Sequence, residues 1–214
     1  MTVVALVHAT AAPMGPAAEA FAAVMPQARL WNLLDDTLIG EVEKAGGLTP
    51  ALRDRMRALI GYAVENGADA VLLTCSMYGP VAAEVTAGPV PVLPPDRALF
   101  DEVVRLQPAT VLVLGAAEAG TNDTAGRLRS HLGPEATVHG RTVAGVRDAV
   151  AAGDVEHAAH LLAAAARAQP ADVVVLGQFS LAPVAERVRA LAGVPVLSPP
   201  HLAARAVHTA LAAR

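Results

Sequence analysis

The chain has 214 residues, a hydrophobic fraction of 54% and a net charge of -4 at pH 7. Its 16 basic and 20 acidic residues are interspersed, and the absence of a basic stripe argues against a nucleic-acid partner. No uncharged apolar run is long enough to span a bilayer, which argues against a membrane protein. A single cysteine cannot form an intramolecular disulfide, so the sequence predicts a protein of the reducing cytoplasm.

Short runs rich in valine and leucine alternate with segments of helical spacing along the chain. The predicted strands are 3–8, 28–33, 70–74, 90–93, 110–114, 137–139, 173–176 and 194–197. The predicted helices are 16–24, 50–66, 97–106, 125–132, 143–151, 155–169 and 203–213. Because strands and helices alternate, the pattern predicts an α/β fold with mostly parallel sheets flanked by helices.

An internal repeat organises this pattern. Residues 68–85 and 171–188 are identical at 8 of 18 positions without a gap, and a Val-Pro-Val-Leu strand follows each copy. The repeat predicts two pseudo-symmetric lobes, residues 1–95 and 96–214, with the C-terminal helix as a candidate addition to the first lobe. Equivalent strand ends are then expected to face each other across a cleft. Ligands of open α/β sheets bind outside the carboxyl ends of the strands.

The only cysteine, Cys75, directly follows the predicted strand 70–74. Pro80 lies five residues later and suits the first turn of a helix. The turn between them is therefore expected to place Cys75 near free backbone N–H groups, which stabilise a thiolate. The alternative is a buried cysteine that packs as a small hydrophobic residue.

The segment LLTCSMYGP at 72–80 resembles the first active-site motif of the aspartate/glutamate/hydantoin racemase superfamily. The resemblance extends over nearly the whole chain, through the His-Ala-Thr strand end at 8–10, the duplicated architecture and the two Val-Pro-Val-Leu strands. It implies a pyridoxal-independent isomerase that needs no cofactor and acts on a small carboxylate or amide-bearing substrate. Family members often form dimers, so a homodimer is a candidate assembly.

Enzymes of that family use two cysteines, one on each face of the substrate. Gln178 stands where the second cysteine is expected, and glutamine cannot exchange a proton usefully near pH 7. The sequence therefore favours a racemase-like or isomerase-like enzyme with the single catalytic cysteine Cys75. Decarboxylation, cis–trans isomerisation through a thiol adduct and hydrolysis through a thioester stay open. So does a non-catalytic protein that binds a small carboxylate.

The resemblance also implies a set of substrate-binding residues. The family binds a substrate carboxylate where the first strand ends, which makes Thr10 and His8 candidates. After the strand 110–114 the family carries a threonine-rich carboxylate cradle in a loop, of which this chain keeps only Thr121.

Further candidates follow the repeated strands. Ser76 and Ser180 could donate hydrogen bonds to a carboxylate or an enolate, or could serve only the turns in which they lie. Gln178 could donate its amide to the substrate. Met77, Tyr78 and Phe179 either form an apolar pocket beside the cysteine or pack inward.

Several other motifs carry weaker implications. Gly115–Gly120 has the spacing of a phosphate loop, but Thr121 follows where a lysine is required. Asp35 and Asp36 follow the second strand, and one of them is expected to cap the next helix; the alternative is an acid that reaches the cleft. His157 and His160 have metal-pair spacing without a third ligand nearby, so no metal site is predicted.

Overall fold

The computed structural model describes residues 1–85 and 88–214. Contacts within the chain divide it into two compact units. Unit 1 consists of Met1–Ala98 and Pro200–Arg214, and unit 2 of Leu99–Pro199. Each unit contains one four-stranded sheet whose strands are all parallel.

Strands and helices alternate along unit 1. Its elements are β1 (Val3–His8), α1 (Met14–Val24), β2 (Arg29–Leu34), α2 (Leu38–Ala45), α3 (Pro50–Glu65), β3 (Ala70–Leu73), a 3₁₀ turn (Ser76–Tyr78), α4 (Gly79–Glu84) and β4 (Val92–Leu93). Helix α10 (Pro199–Ala212) returns to this unit at the end of the chain.

Unit 2 repeats the same order after one additional helix at its start. Its elements are α5 (Arg97–Leu106), β5 (Thr110–Gly115), α6 (Glu118–Leu132), β6 (Thr137–Thr142), α7 (Val146–Ala151), α8 (Val155–Ala168), β7 (Val173–Leu176), a 3₁₀ helix (Phe179–Val184), α9 (Ala185–Ala192) and β8 (Val196–Leu197).

The two sheets have the same topology, with strand orders β2-β1-β3-β4 and β6-β5-β7-β8. In each sheet the first strand of the unit lies between the second and the third, because the third strand is added on the side of the first strand opposite to the second. Helical crossovers between successive strands make all the pairs parallel. Two parallel sheets flanked by helices confirm the predicted two-lobed α/β fold.

Each Val-Pro-Val-Leu run forms a strand of only two residues, shorter than the four predicted. Proline has no N–H to offer to the sheet, so the strand proper begins after it. The proline carbonyls nevertheless pair: Val71 N donates to Pro91 O, and Val174 N donates to Pro195 O, each at 2.9 Å.

Aliphatic side chains form the core of each unit. In unit 1 one face of the sheet packs against α2 and α3 through Ala5, Val7, Val71, Leu73, Leu38, Val42, Met56 and Ile60. In unit 2 the corresponding face packs against α7, α8 and α9 through Leu112, Leu114, Val174, Leu176, Val146, Leu162 and Val188. Strands buried on both faces read as continuous apolar runs, which is why they were recognisable in the sequence.

The helices differ more from the prediction than the strands do. Helix α2 was not predicted, and α6 begins at Glu118 rather than at residue 125. Among the described residues, no helix combines the length and apolar character needed to cross a membrane.

Candidate active site

The predicted site residues fall into two groups, one in each unit. In unit 1, β1 ends at His8 and β3 ends at Leu73, and parallel strands share one carboxyl edge. His8, Thr10, Cys75 and Ser76 therefore lie along the same edge of the first sheet. In unit 2 the loops after β5 and β7 share an edge in the same way, and Thr121, Gln178 and Ser180 belong to it.

Cys75 occupies the position just before the 3₁₀ turn Ser76–Tyr78. Its backbone is extended, with φ -108° and ψ 118°, and its carbonyl accepts a hydrogen bond from Tyr78 N at 3.1 Å. Its side chain is half-buried and packs at the margin of the unit 1 core. Helix α4 follows at once, with Pro80 in its first turn as the sequence predicts. The first N–H groups of such a turn have no helical acceptor and are suited to hold a thiolate.

Tyr78 lies fully buried beneath this turn, and its hydroxyl donates to Leu38 O at 3.3 Å. Burial raises the pKa of Tyr78 to about 12, and the negative charge of the Cys75 thiolate contributes in the same direction. Tyr78 is therefore a neutral hydroxyl at physiological pH, within electrostatic reach of the cysteine.

The loop after β2 is held by an ion pair with α3. Arg55 Nη2 lies 2.6 Å from Asp35 Oδ2 and donates to Thr37 Oγ1 at 2.7 Å. The Thr37 hydroxyl in turn donates to Asp35 Oδ1 at 2.8 Å. Asp35 Oδ1 also accepts from Thr37 N at 3.3 Å, so Asp35 bonds the backbone at the start of α2 as expected, although Thr37 occupies the residue directly before the helix.

His8 is completely buried at the end of β1. Its Nδ1 lies 2.7 Å from Thr74 Oγ1, and its Nε2 lies 2.9 Å from Asn32 Oδ1. Burial lowers the pKa of His8, and the Asn32 hydrogen bond opposes this shift only in part. A substrate carboxylate could bind His8 only after one of these bonds had broken. Thr10 lies half-buried in the loop that follows.

Gln178 occupies the position in unit 2 that Cys75 occupies in unit 1. Its backbone is again extended, with φ -137° and ψ 141°, and it again precedes a 3₁₀ segment. Its Oε1 accepts a hydrogen bond from Ala116 N at 2.8 Å. Its Nε2 lies over Gly120, where an added Cβ would come within 3.7 Å. The amide N–H₂ of Gln178 thus lies beside the first turn of α6 and is one donor at this edge.

Thr121 and Ser180 differ in how much they are exposed. Thr121 is buried inside α6, and its hydroxyl donates to Ala117 O at 2.7 Å. The loop predicted for this segment is therefore wrong, because α6 already begins at Glu118. Ser180 lies half-buried in the 3₁₀ helix after Gln178.

The aromatic and thioether side chains near the repeated turns pack inward. Tyr78 and Phe179 are buried, and Met77 packs against the unit 1 core. Of the two alternatives left open for these residues, inward packing is therefore the one that the structure shows.

No three histidine, cysteine, aspartate or glutamate side chains cluster as metal ligands within residues 1–85 and 88–214. His160 Nδ1 instead pairs with Glu156 O at 2.7 Å on the surface of α8.

Sequence reasoning missed two polar residues at the unit 1 edge, Asn32 and Thr74. Both are partners of His8. Thr74 was considered only as part of the Thr-Cys-Ser motif, and Asn32 interrupts the apolar run 30–34. An asparagine within a predicted strand was the available signal, since asparagine is depleted in strands.

Comparison with known proteins identifies solved structures that share this fold. No protein-family model matches the sequence, and no curated protein sequence matches it. Among solved structures, the aspartate racemase of Picrophilus torridus superposes with a TM-score of 0.74 at 14% identity, covering 99% of this chain and 95% of that one. A glutamate racemase from Bacillus anthracis gives 0.77 at 13% identity, covering 99% and 82%. Unliganded arylmalonate decarboxylase gives 0.68 at 18% identity, covering 99% and 93%.

The chain has the same fold as these aspartate and glutamate racemases and as arylmalonate decarboxylase. The similarity extends over both units, so the resemblance inferred from the Thr-Cys-Ser motif is confirmed at the level of the fold. Two racemases and a decarboxylase share this racemase fold, which means that the fold does not by itself select a reaction. The selection depends on the residues at the strand ends.

Proposed function

We propose that the chain is a cofactor-independent enzyme of the racemase and isomerase kind, acting on a small carboxylate or amide-bearing substrate through Cys75 alone. The observation that carries the proposal is the pair of equivalent strand-end positions. One holds a half-buried thiol before a 3₁₀ turn, and the other holds a glutamine already bonded to the backbone.

The first step is a proton transfer at the carbon next to the substrate carboxylate. The Cys75 thiolate takes the proton, the C–H electron pair moves into the enolate, and the S–H bond forms. The N–H groups at the start of the 3₁₀ turn and the hydroxyls of Ser76 and Thr10 are suited to hold the developing negative charge. Returning the proton from Cys75 regenerates the thiolate.

Gln178 limits the outcome of this step. Its amide can donate a hydrogen bond to a carboxylate or an amide, but it has no proton to exchange near pH 7. A second thiol is therefore not available for return of the proton from the other face. We expect hydrogen exchange to proceed faster than inversion of configuration.

A decarboxylase is the second candidate, and the single thiol favours it. In that reaction the C–C bond to a carboxylate breaks, CO₂ leaves, and the electron pair stays on the substrate as an enolate. Cys75 then donates its proton to that carbon and is protonated again from water. One cysteine suffices for this sequence of steps.

The test is a substrate screen in deuterated water with amino acids, malonates, hydantoins and maleate. Deuterium incorporation without inversion supports one-thiol proton transfer, and CO₂ release from a malonate supports the decarboxylase. Cys75→Ala is the inactive control, and Cys75→Ser tests whether a thiol is needed. Turnover that survives Cys75→Ala contradicts the proposal. A carboxylate that stabilises both wild type and Cys75→Ala without any turnover would indicate a binding protein instead.

A further inference from the structure

Three side chains form a hydrogen-bonded row across unit 1, which we call the edge network: His8, Asn32 and Thr74. They come from the end of β1, from β2 and from the residue directly after β3. His8 is 0% exposed and Thr74 is 3% exposed, so the centre of the row is shielded from water. The contacts join residues 24 and 66 positions apart in sequence.

The chemistry of the partners fixes the direction of each bond. Asn32 Oδ1 can only accept, so the proton of the neutral ring must be on His8 Nε2. His8 Nδ1 is then an acceptor, and the Thr74 hydroxyl donates to it at 2.7 Å. The alternative acceptor for that hydroxyl, Val7 O, is farther away at 3.3 Å. The network therefore holds the Thr74 side chain in one orientation.

Unit 2 lacks this row although its backbone matches. The strand registers align His8 with Gly115, Asn32 with Gly140 and Thr74 with Gly177. An added Cβ on Gly115 would lie 2.0 Å from Thr121 Oγ1, and one on Gly140 would lie 3.0 Å from the Ala125 Cβ.

Helix α6 thus packs directly on the unit 2 sheet and excludes side chains of this size. The shared fold stands without the edge network. Within the described residues, the network occurs only in the unit that carries the cysteine. We therefore relate its role to the cysteine and not to the fold.

Thr74 connects the edge network to Cys75 through one peptide bond. Its backbone N–H also donates to Val7 O at 3.1 Å, so both its backbone and its side chain are bonded to β1. The extended Cys75 backbone and the turn at Ser76–Tyr78 begin from this anchored residue.

We propose that His8 is a positioning residue for Cys75, acting through Thr74 to hold the end of β3 and the turn that stabilises the thiolate. The inference rests on the proposed function only in taking Cys75 as the reactive thiol. It assigns His8 a role that requires no contact with substrate.

The test compares Thr74→Val, which keeps the shape and removes the hydroxyl, with Thr74→Ser, which keeps the hydroxyl. Asn32→Ala removes the other partner of His8 at an exposed position, where a folding defect is not expected. Thr124→Val is the matched control, because Thr124 is a buried threonine of unit 2 whose hydroxyl has no hydrogen-bond partner in the described structure.

The first readout is the rate of Cys75 alkylation by iodoacetamide across a pH series, followed by mass spectrometry. We expect Thr74→Val to move the midpoint of the rate-against-pH curve to higher pH. At pH 7 alkylation should slow by roughly three- to tenfold, the factor that one hydrogen bond contributes. Asn32→Ala should have a smaller effect in the same direction. Thr74→Ser and Thr124→Val should match the wild type. If the wild-type midpoint lies below that of an ordinary thiol, an unchanged midpoint in Thr74→Val, or an equal shift in Thr124→Val, overturns the inference.

Amide hydrogen exchange at residues 75–78 is the second readout and does not depend on thiol reactivity. Faster exchange there in Thr74→Val but not in Thr124→Val supports positioning of the segment, and unchanged exchange overturns it. If Cys75 of the wild type is alkylated with the midpoint of an ordinary thiol, the proposed function is refuted. Faster amide exchange in Thr74→Val would in that case still support the positioning role. If the wild-type midpoint is low but Thr74→Val changes neither the midpoint nor the amide exchange, the proposed function is supported and the positioning role is refuted.

Discussion

Asp69 and Asp172 make the same pair of hydrogen bonds in the two units. Each Oδ2 accepts from the N–H that begins the first strand, Val3 N or Thr110 N, at 2.8 Å. Each backbone N–H also donates to the carbonyl of that strand residue, at 2.8 Å in unit 1 and 2.9 Å in unit 2. The repeated Ala-Asp dipeptide is therefore explained by a clamp between the first and third strands of each sheet.

The clamp predicts that Asp69→Ala and Asp172→Ala each destabilise the fold. Losing a carboxylate acceptor leaves a strand-end N–H without its partner, at a cost of about 1 kcal/mol in the free energy of unfolding. Asp172 is the more exposed of the two, so we expect the smaller loss there. Urea titration at pH 7 measures both. Exposed Asp36→Ala is the control and should stay within about 0.5 kcal/mol of wild type. Equal stability of all three variants would refute the clamp.

The sequence predicted the central strands β1, β3, β5 and β7 well because each is a short apolar run that is buried in the structure. All eight predicted strands are present; 3–8 and 173–176 match their predicted bounds, and the other six have shifted ends. It failed at the start of α6, where Gly115 and Gly120 within seven residues suggested a loop. Close packing of this helix on the sheet is what requires a small residue at 115, and packing of this kind is not visible as local propensity.

The candidate site was predictable only in part. Cys75 and Gln178 could be placed at strand ends because the repeat aligns them. The edge network could not be seen, since it depends on a parallel register that brings His8, Asn32 and Thr74 together. A residue's hydrogen-bond partner in a neighbouring parallel strand lies dozens of positions away in sequence.

The buried, neutral His8 predicts a loss of stability in mild acid. Burial lowers its pKa in the folded state, whereas the unfolded chain takes up the proton at its ordinary value near 6.5. The unfolded state therefore binds more protons below that pH, and stability falls as the pH drops from 6.5 toward the lowered folded pKa.

The variant His8→Gln, which does not titrate, isolates this contribution. It should be less stable than wild type at pH 8, and its urea midpoint should fall less between pH 7 and pH 5. The other histidines are common to both proteins, so their contributions cancel. Parallel pH profiles for the two proteins would contradict a neutral, buried His8.

The variant Gln178→Glu is expected to keep the stability of the fold and to weaken substrate binding. The carboxylate keeps an acceptor for Ala116 N, and a negative charge is favourable near the start of α6. The free energy of unfolding should therefore stay within about 0.5 kcal/mol of wild type. If Gln178 holds the substrate carboxylate as proposed, like-charge repulsion should raise KM by roughly tenfold or more.

The matched control for Gln178→Glu is the amide form of the same substrate, which carries no charge for the new glutamate to repel. Its KM should change little. An equal rise for the acid and the amide would mean that the substitution disturbs the site in general, and an unchanged KM for both would place Gln178 away from the substrate.

The raised pKa of Tyr78 predicts that the free energy of unfolding decreases at alkaline pH. Its pKa is raised to about 12 in the folded state by burial, with the Cys75 thiolate adding to the shift, while the unfolded chain ionises near 10. The unfolded state therefore loses this proton first, and stability declines as the pH rises from 10 toward 12. Tyr78→Phe should be about 1 kcal/mol less stable at pH 8, because Leu38 O loses its donor.

Urea titrations of wild type and Tyr78→Phe at pH 8, 9.5 and 11 measure this difference. Tyr62 is common to both proteins and cancels, so the wild-type curve alone should carry the extra alkaline decline. Adding Cys75→Ser to the wild type should reduce that decline, because the thiolate charge that opposes Tyr78 ionisation is then gone. A decline that is the same with and without Cys75 would mean that burial alone sets the pKa of Tyr78 and that the thiolate lies too far away to act on it.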